Sequence, residues 1–445
     1  MNEALFDQLA AAVCASKQND DRVTLTLSAE DSDFIRLNRA SVRQATSVSQ
    51  QQATLSIIRG QQRVSSSVSL PADFDLARAL LERERATLFE MMPYVPEDPH
   101  LLLPDSLNNS SRTEPTDALP ESHEVIDELL SATESEDLVG FYASGPMTRA
   151  FANSEGQRNW HQVASFHLDW SLFSRQKQAK NRAVKSAYAG ATFDAPILQR
   201  KMQTAREQLA WLEQPIRQVD PGTYRAWLAP AAVADLLLAM AWSGFSRKER
   251  DSGTSSLIRL AEHDDSLSPL VTLTENTQNG IAPAFTETGH LRPAQVSLVT
   301  QGRLAQTLTS PRSGAEYGET ANAGASEYPE ALELAPGSLA EQDALAALGT
   351  GLWIGNLWYL NYSDRQAARI TGMTRFACFW VEDGEIKAPL GVMRFDDTLL
   401  QMFGANLEAL GNEAQFLPGS STWGSRELNS VSSPGALLSG LRLTL

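Results

Sequence analysis

The sequence predicts an α+β protein: an N-terminal antiparallel sheet with flanking helices, then a larger C-terminal mixed or antiparallel sheet domain with helices. Three observations predict it. Apolar residues recur at helical spacing at both ends of the first 95 residues. Between those helices lie about four alternating strand patterns in a meander. Further on, Trp160, Ala164, Phe166, Leu168, Trp170 and Leu172 occupy even positions of one run, the signature of a long strand with one buried face.

Element by element, Leu5, Phe6, Leu9, Ala12 and Val13 share one face of a helix over residues 3–16. Strands follow over 23–27, 34–42, 53–57 and 64–70, with a turn at Arg59-Gly60-Gln61-Gln62. A helix over 72–92 starts after Pro71 and stops at Pro93. Residues 94–120, rich in Pro, Asn, Ser, Asp and Glu without a period, read as a linker or mobile loop, and 121–130 as a short helix. The expected units are therefore a 1–95 α+β domain, a 96–135 linker with a short helix, and a 136–445 α+β domain. In the last unit strands are expected over 139–142, 148–152 and 160–173, and the basic stretch 175–185 reads as a solvated link. Helices over 196–212 and 230–242 come next, then strands at 270–273 and 294–298, a Gly/Ser-rich passage at 310–336 and a helix over 338–349. Strands at 352–354 and 358–360, a hairpin over 375–389, a helix over 399–410 and a strand within 430–443 complete the chain. The hairpin is the sharpest local pattern: Phe376, Cys378, Trp380 and Glu382 alternate with Ala377, Phe379 and Val381, and Asp383-Gly384 supplies residues that tolerate positive φ.

With 445 residues, 42% of them hydrophobic, the chain is long enough for two or three cored domains. Its longest apolar run, residues 231–242, contains Asp235 and falls short of the roughly 20 residues of a spanning helix. The acidic start, without a basic flank, leads to an expected cytoplasmic location and no membrane partner. Two cysteines, Cys14 and Cys378, exclude a disulfide framework. A net charge of −17 without a dense basic stripe argues against nucleic acid as a partner.

Four local matches appear in order: Ala152-Asn-Ser-Glu-Gly156, Pro221-Gly-Thr-Tyr224, the hairpin over 379–386, and Ser433-Pro-Gly-Ala-Leu-Leu438. Together they resemble the TldD/PmbA proteins, a family of two-subunit peptidases, with the hairpin closest to the TldE (PmbA) type. In the TldD type, the resemblance implies a His-Glu-x-x-x-His helix after the "PGTY" lead. Two imidazoles on successive turns grip Zn²⁺ and the glutamate acts as base on metal-bound water. Here the matching stretch is Leu228-Ala-Pro-Ala-Ala-Val-Ala234, so Ala229, Pro230 and Ala234 stand where those residues would be, and none can ligate a metal or take a proton. Cys378 lies near a family cysteine but is offset, and reads as a packing residue with weak claim to metal.

The resemblance thus implies a zinc-free partner chain without catalytic residues of its own. Zinc would sit in a TldD-like catalytic subunit joined to it as heterodimer or heterotetramer, with a homodimer as the other assembly and unfolded or modified peptide as substrate. Two rivals stay open: a peptidase with divergent ligands from His161, His263, His290 and Cys378, and a stand-alone peptide-binding scaffold. The aromatic residues Trp353, Trp358, Tyr359, Tyr362 and Trp380 are candidates for a peptide-binding groove, and equally for a sheet core. Other patterns have simpler readings. His123-Glu124 lacks a second histidine, and Ser122 as N-cap with Glu124, Asp127 and Glu128 on the wet face of a short helix accounts for it; Asp264-Asp265 and Asp396-Asp397 sit at turns or helix starts. His161 and His167, six residues apart on a strand, would be about 20 Å apart, too far to share a metal.

Overall fold

The computed structural model describes residues 2–14, 21–104, 109–115, 118–133, 136–262 and 265–444; His263, Asp264 and the end of the first expected helix lie outside them. The first part contains α1 (Glu3–Cys14), β1 (Arg22–Asn38), β2 (Val42–Arg59), β3 (Gln62–Ser69), α2 (Phe74–Met91), β4 (Ser111–Thr113), α3 (Ser122–Ala132), β5 (Asp137–Asn153), β6 (Arg158–Phe173), β7 (Ala183–Gly190) and α4 (Ala195–Leu212). The second continues with β8 (Gly222–Leu228), α5 (Pro230–Gly244), α6 (Arg247–Asp251), α7 (Ile258–Glu262), β9 (Leu273–Glu275), β10 (Val296–Thr300), β11 (Arg303–Leu304), α8 (Pro311–Tyr317), β12 (Ala331–Leu334) and α9 (Ala344–Leu348). It ends with β13 (Gly351–Asp364), β14 (Arg369–Glu382), β15 (Glu385–Pro389), β16 (Arg394–Thr398), α10 (Leu399–Met402), β17 (Leu407–Pro418) and β18 (Ser430–Leu443).

Among the described residues these strands form a seven-stranded sheet, ordered β3-β2-β1-β5-β6-β4 with β7 also on β6, and an eleven-stranded sheet from β8 onward. The first is antiparallel except where β4 runs parallel to β6. The second is mixed, with β18 as its hub: it pairs with β12 in parallel and with β8, β16 and β17 antiparallel. This is the expected α+β class. Because β1 pairs with β5 from Thr24↔Asn153 to Asn38↔Val139, strands β5, β6 and β7 belong to the amino-terminal sheet, and the sheets divide between β7 and β8.

Several elements differ from the sequence reading for identifiable reasons. The strands expected over 23–27 and 34–42 are the single strand β1, and the chain turns at Arg39-Ala40, both at positive φ (54° and 48°). The polar middle of β1 stays in the sheet because buried Glu30 accepts from the Gln50 side chain and from the Arg426 N–H at 3.0 Å. The Arg426 guanidinium itself donates to Ser165 O at 2.7 Å and Gly145 O at 3.0 Å, clipping the β17–β18 loop onto the first sheet. The helix expected over 399–410 is one turn, α10; Leu407 onward is β17, where pairing with β18 outweighs the helical spacing while Leu407 and Leu410 still reach the core.

The hairpin is as expected: Asp383 and Gly384 take φ of 52° and 76° between β14 and β15. Alternate residues of β14 serve different cores. Ala377 and Phe379 pack with Phe166, Trp170 and Met202 beside the first sheet, whereas Cys378 and Trp380 pack with the second-sheet core around Val233 and Leu237. In the closing motif, a Cβ at Gly435 would overlap the buried indole of Trp227 on β8, so the hub strand needs glycine there. Gly435→Ala is expected to cost about 1–3 kcal/mol, as overpacking does, seen as a lowered urea midpoint at unchanged slope.

Candidate functional site

Strand β8 delivers the chain to Ala229, which caps α5 and donates its N–H to Ile354 O at 2.9 Å. Pro230 opens the helix where its missing N–H costs nothing. Val233, Leu236, Leu237 and Met240 enter the core. The other side, Pro230, Ala231, Ala234, Asp235 and Leu238, faces a cavity of about 690 Å³ between the two sheets.

One wall of the cavity is aromatic. Trp353, Trp358, Tyr359 and Phe376 line it, carried by β13 and β14 at a bulged stretch of their ladder. Tyr359 and Phe376 both have positive φ (54° and 61°), uncommon for bulky side chains, and the ladder changes register beside each. Gly355 permits the close approach, since a Cβ there would overlap Ala377 O. Trp358 meets Phe376 edge-on at 6.0 Å, and the Arg375 guanidinium sits 5.2 Å over its ring.

The facing wall is polar. It is formed by His167 and Asp169 of β6, Lys185 of β7, and Arg200, Lys201, Thr204 and Gln208 of α4, with Glu341 nearby. His167 Nε2 lies 3.6 Å from Asp169 Oδ2, while burial holds the imidazole below its ordinary pKa. Burial pushes Asp235 up to about 6, opposed by the charge of Lys185 and by an N–H bond from Leu357. Lys201 is lowered by burial, with Glu341 pulling the other way.

The structure gathers Ala229, Pro230, Ala234, Trp353, Trp358 and Tyr359 at this cavity. It separates two of the expected aromatic residues from them. Tyr362 donates its hydroxyl to Ala239 O at 2.6 Å beside a neighbouring depression, and Trp380, 8% exposed, packs edge-on to Tyr224 under the Arg217 guanidinium at 4.4 Å. Cys378 is buried, its thiol pushed up to about 11 by desolvation and donating to Arg375 O at 3.3 Å, which is a packing role. His161 bonds Ile281 O at 3.0 Å and His290 bonds Thr288 Oγ1 at 3.0 Å, each in its own setting. The sequence reading missed the polar wall. Arg200, Lys201, Thr204 and Gln208 fall on the polar face of α4, a visible signal, but nothing local says what that face meets.

The carboxyl-terminal half, residues 221–444, matches the family model described as the PmbA/TldA metallopeptidase C-terminal domain. The chain belongs to the PmbA/TldD family. No curated protein sequence matches it. Similar solved structures include a protein described as a candidate modulator of a DNA gyrase from Thermotoga maritima (14% identity, TM-score 0.78, 99% of this chain and 100% of that one). TldE from Thermococcus kodakarensis is similar too (12%, 0.78, 95% and 97%), as is a protein described as a candidate modulator of DNA gyrase from Bacteroides thetaiotaomicron (16%, 0.76, 100% and 98%). These PmbA/TldD likenesses establish a shared fold over nearly the whole chain.

A metallopeptidase ion needs three or more converging N, O or S donors. Ala229, Pro230 and Ala234 offer none in their side chains, and among the described residues no three His, Cys, Asp or Glu side chains form such a group. The cavity residues do not fit a zinc ion. Among the described residues no helix is long and apolar enough to cross a membrane.

Asp235 gives this site a pH signature. Its folded pKa, about 6, lies above the ordinary 3.8, so its stabilising contribution is full below about pH 4 and lost as pH rises through 6. Asp235→Asn, which keeps an acceptor for Leu357, is expected to be more stable than the parent by on the order of 2 kcal/mol at pH 7.5, with the gap closing toward pH 4. Thermal unfolding across that range is the check.

Proposed function

We propose that this chain is a zinc-free, TldE-like subunit that completes the peptide chamber of a two-component metallopeptidase whose metal and general base reside in a TldD-like partner. One observation carries the reading: the helix end matching the family's ligand positions opens on a large cavity, and presents Ala229, Pro230 and Ala234 to it. A wall of Trp353, Trp358 and Tyr359 across from α4 suits an extended, unfolded or modified peptide, since aromatic side chains contribute large apolar contacts. The partner would join it as heterodimer or heterotetramer, in the cytoplasm. Against a peptidase with its own divergent ligands stand the backbone bond of His161 and the buried, neutral thiol of Cys378.

The test is co-expression with a TldD-like chain carrying His-Glu-x-x-x-His. The two should co-elute, zinc should follow the partner, and a fluorogenic unfolded peptide should be cleaved by the complex and not by this chain alone. Stoichiometric zinc on the isolated chain, lost in Cys378→Ala, together with cleavage by that chain, would overturn the proposal.

A further inference from the structure

The chain carries 54 acidic residues against 37 basic ones, yet this cavity holds three cations on one wall. Lys185, Arg200 and Lys201 form no salt bridge with any described residue, whereas many other basic side chains are paired, Arg59 with Asp21 and Arg292 with Glu275 among them. Strand pairing accounts for one half of the arrangement: His167↔Ala189, Asp169↔Ala187 and Ser171↔Lys185 are successive same-face pairs of β6 and β7. Helical spacing accounts for the other, because Arg200, Lys201, Thr204 and Gln208 share one face of α4.

The acids of the cavity are engaged or weakened as competitors. Asp169 faces His167; Asp235 takes the Leu357 N–H and is raised by burial; Glu341 attracts Lys201 without forming an ion pair. His167, 7% exposed, also lines the cavity, and its Nδ1 has no hydrogen-bond partner. Two hydrogen-bonding side chains, Thr204 and Gln208, complete the wall. Lys201 is partly buried and Lys185 and Arg200 are exposed at the rim, so an entering anion meets three cations that no ion pair already holds.

We infer that Lys185, Arg200 and Lys201 form a carboxylate-binding subsite, which holds the free C-terminal or an acidic side-chain carboxylate of an extended peptide whose apolar residues lie on the aromatic wall. The inference rests on the reading of this cavity as part of a peptide chamber. A basic wall opposite an aromatic one orients such a peptide, one end fixed by charge and the body by apolar contact.

Fluorescence anisotropy with a labelled apolar hexapeptide tests it, using the chain alone and its complex with a TldD-like partner. The peptide is supplied with a free C-terminal carboxylate, as the C-terminal amide, and as an amide with one internal glutamate. The free acid should bind about tenfold more tightly than the plain amide, the worth of roughly one charge-assisted hydrogen bond. That preference should vanish in Arg200→Gln/Lys201→Met, whose positions on the polar face of α4 leave the core untouched. Tighter binding by the glutamate amide than by the free acid would assign the subsite to acidic side chains. Equal binding of acid and plain amide, a preference that survives in the double variant, or no binding to either sample would overturn the inference. Complex formation is scored separately by size-exclusion chromatography, so failed assembly counts against the function proposed above and leaves the peptide result on the isolated chain to decide this one.

Discussion

Residues 377–381 of strand β14 are buried on both faces, and this constraint organises the molecule. A strand normally turns one face to a core and the other to water; here Ala377 and Phe379 fill one core while Cys378 and Trp380 fill the other. The bulged ladder beside it, where β13 and β14 lose register around Asn356 and Tyr359, follows from the same demand. Residues on the two sides of the bulge point in a new phase, which turns Trp358 and Phe376 toward the space left between the sheets.

What was legible in the sequence was local. The hairpin could be read because Asp383-Gly384 states its turn chemistry and the flanking residues alternate; α5 could be read because its composition favours a helix and Pro230 marks its start. What was not legible depended on partners far along the chain. The middle of β1 looks like a break until Arg426 meets Glu30, and Leu407 to Leu410 looks helical until β18 claims its backbone. The cavity is of the same kind, since its walls come from β6, β7, α4, α5, β13, β14, β17 and β18. The aromatic set divided for two reasons: a register shift between Trp358 and Asn361 separates Tyr362 from the group that Trp353, Trp358 and Tyr359 form, and Trp380 pairs with Leu352, on the face opposite Trp353 and its partner Phe379.

The helix that faces the cavity forms on local grounds alone. Alanine has the highest helix propensity and proline fits the first turn, so a helix start built from Ala229, Pro230 and Ala234 is favourable on local grounds. Its one charged residue, Asp235, bears the cost of desolvation instead. In this chain the architecture stands on packing around α5 and β18 and makes no demand on donor side chains at Ala229, Pro230 and Ala234.

The clip between Arg426 and Glu30 has a consequence for the order in which the chain is made. A ribosome releases β1 early, but one donor to its buried carboxylate, the Arg426 N–H, is separated from it by 396 positions, and β18, the hub of the second sheet, emerges after every other described strand. Strands β8, β12, β16 and β17 therefore wait, with open edges, for the final segment before their sheet can close. Neither half of the molecule is finished before residues 426–443 have been made.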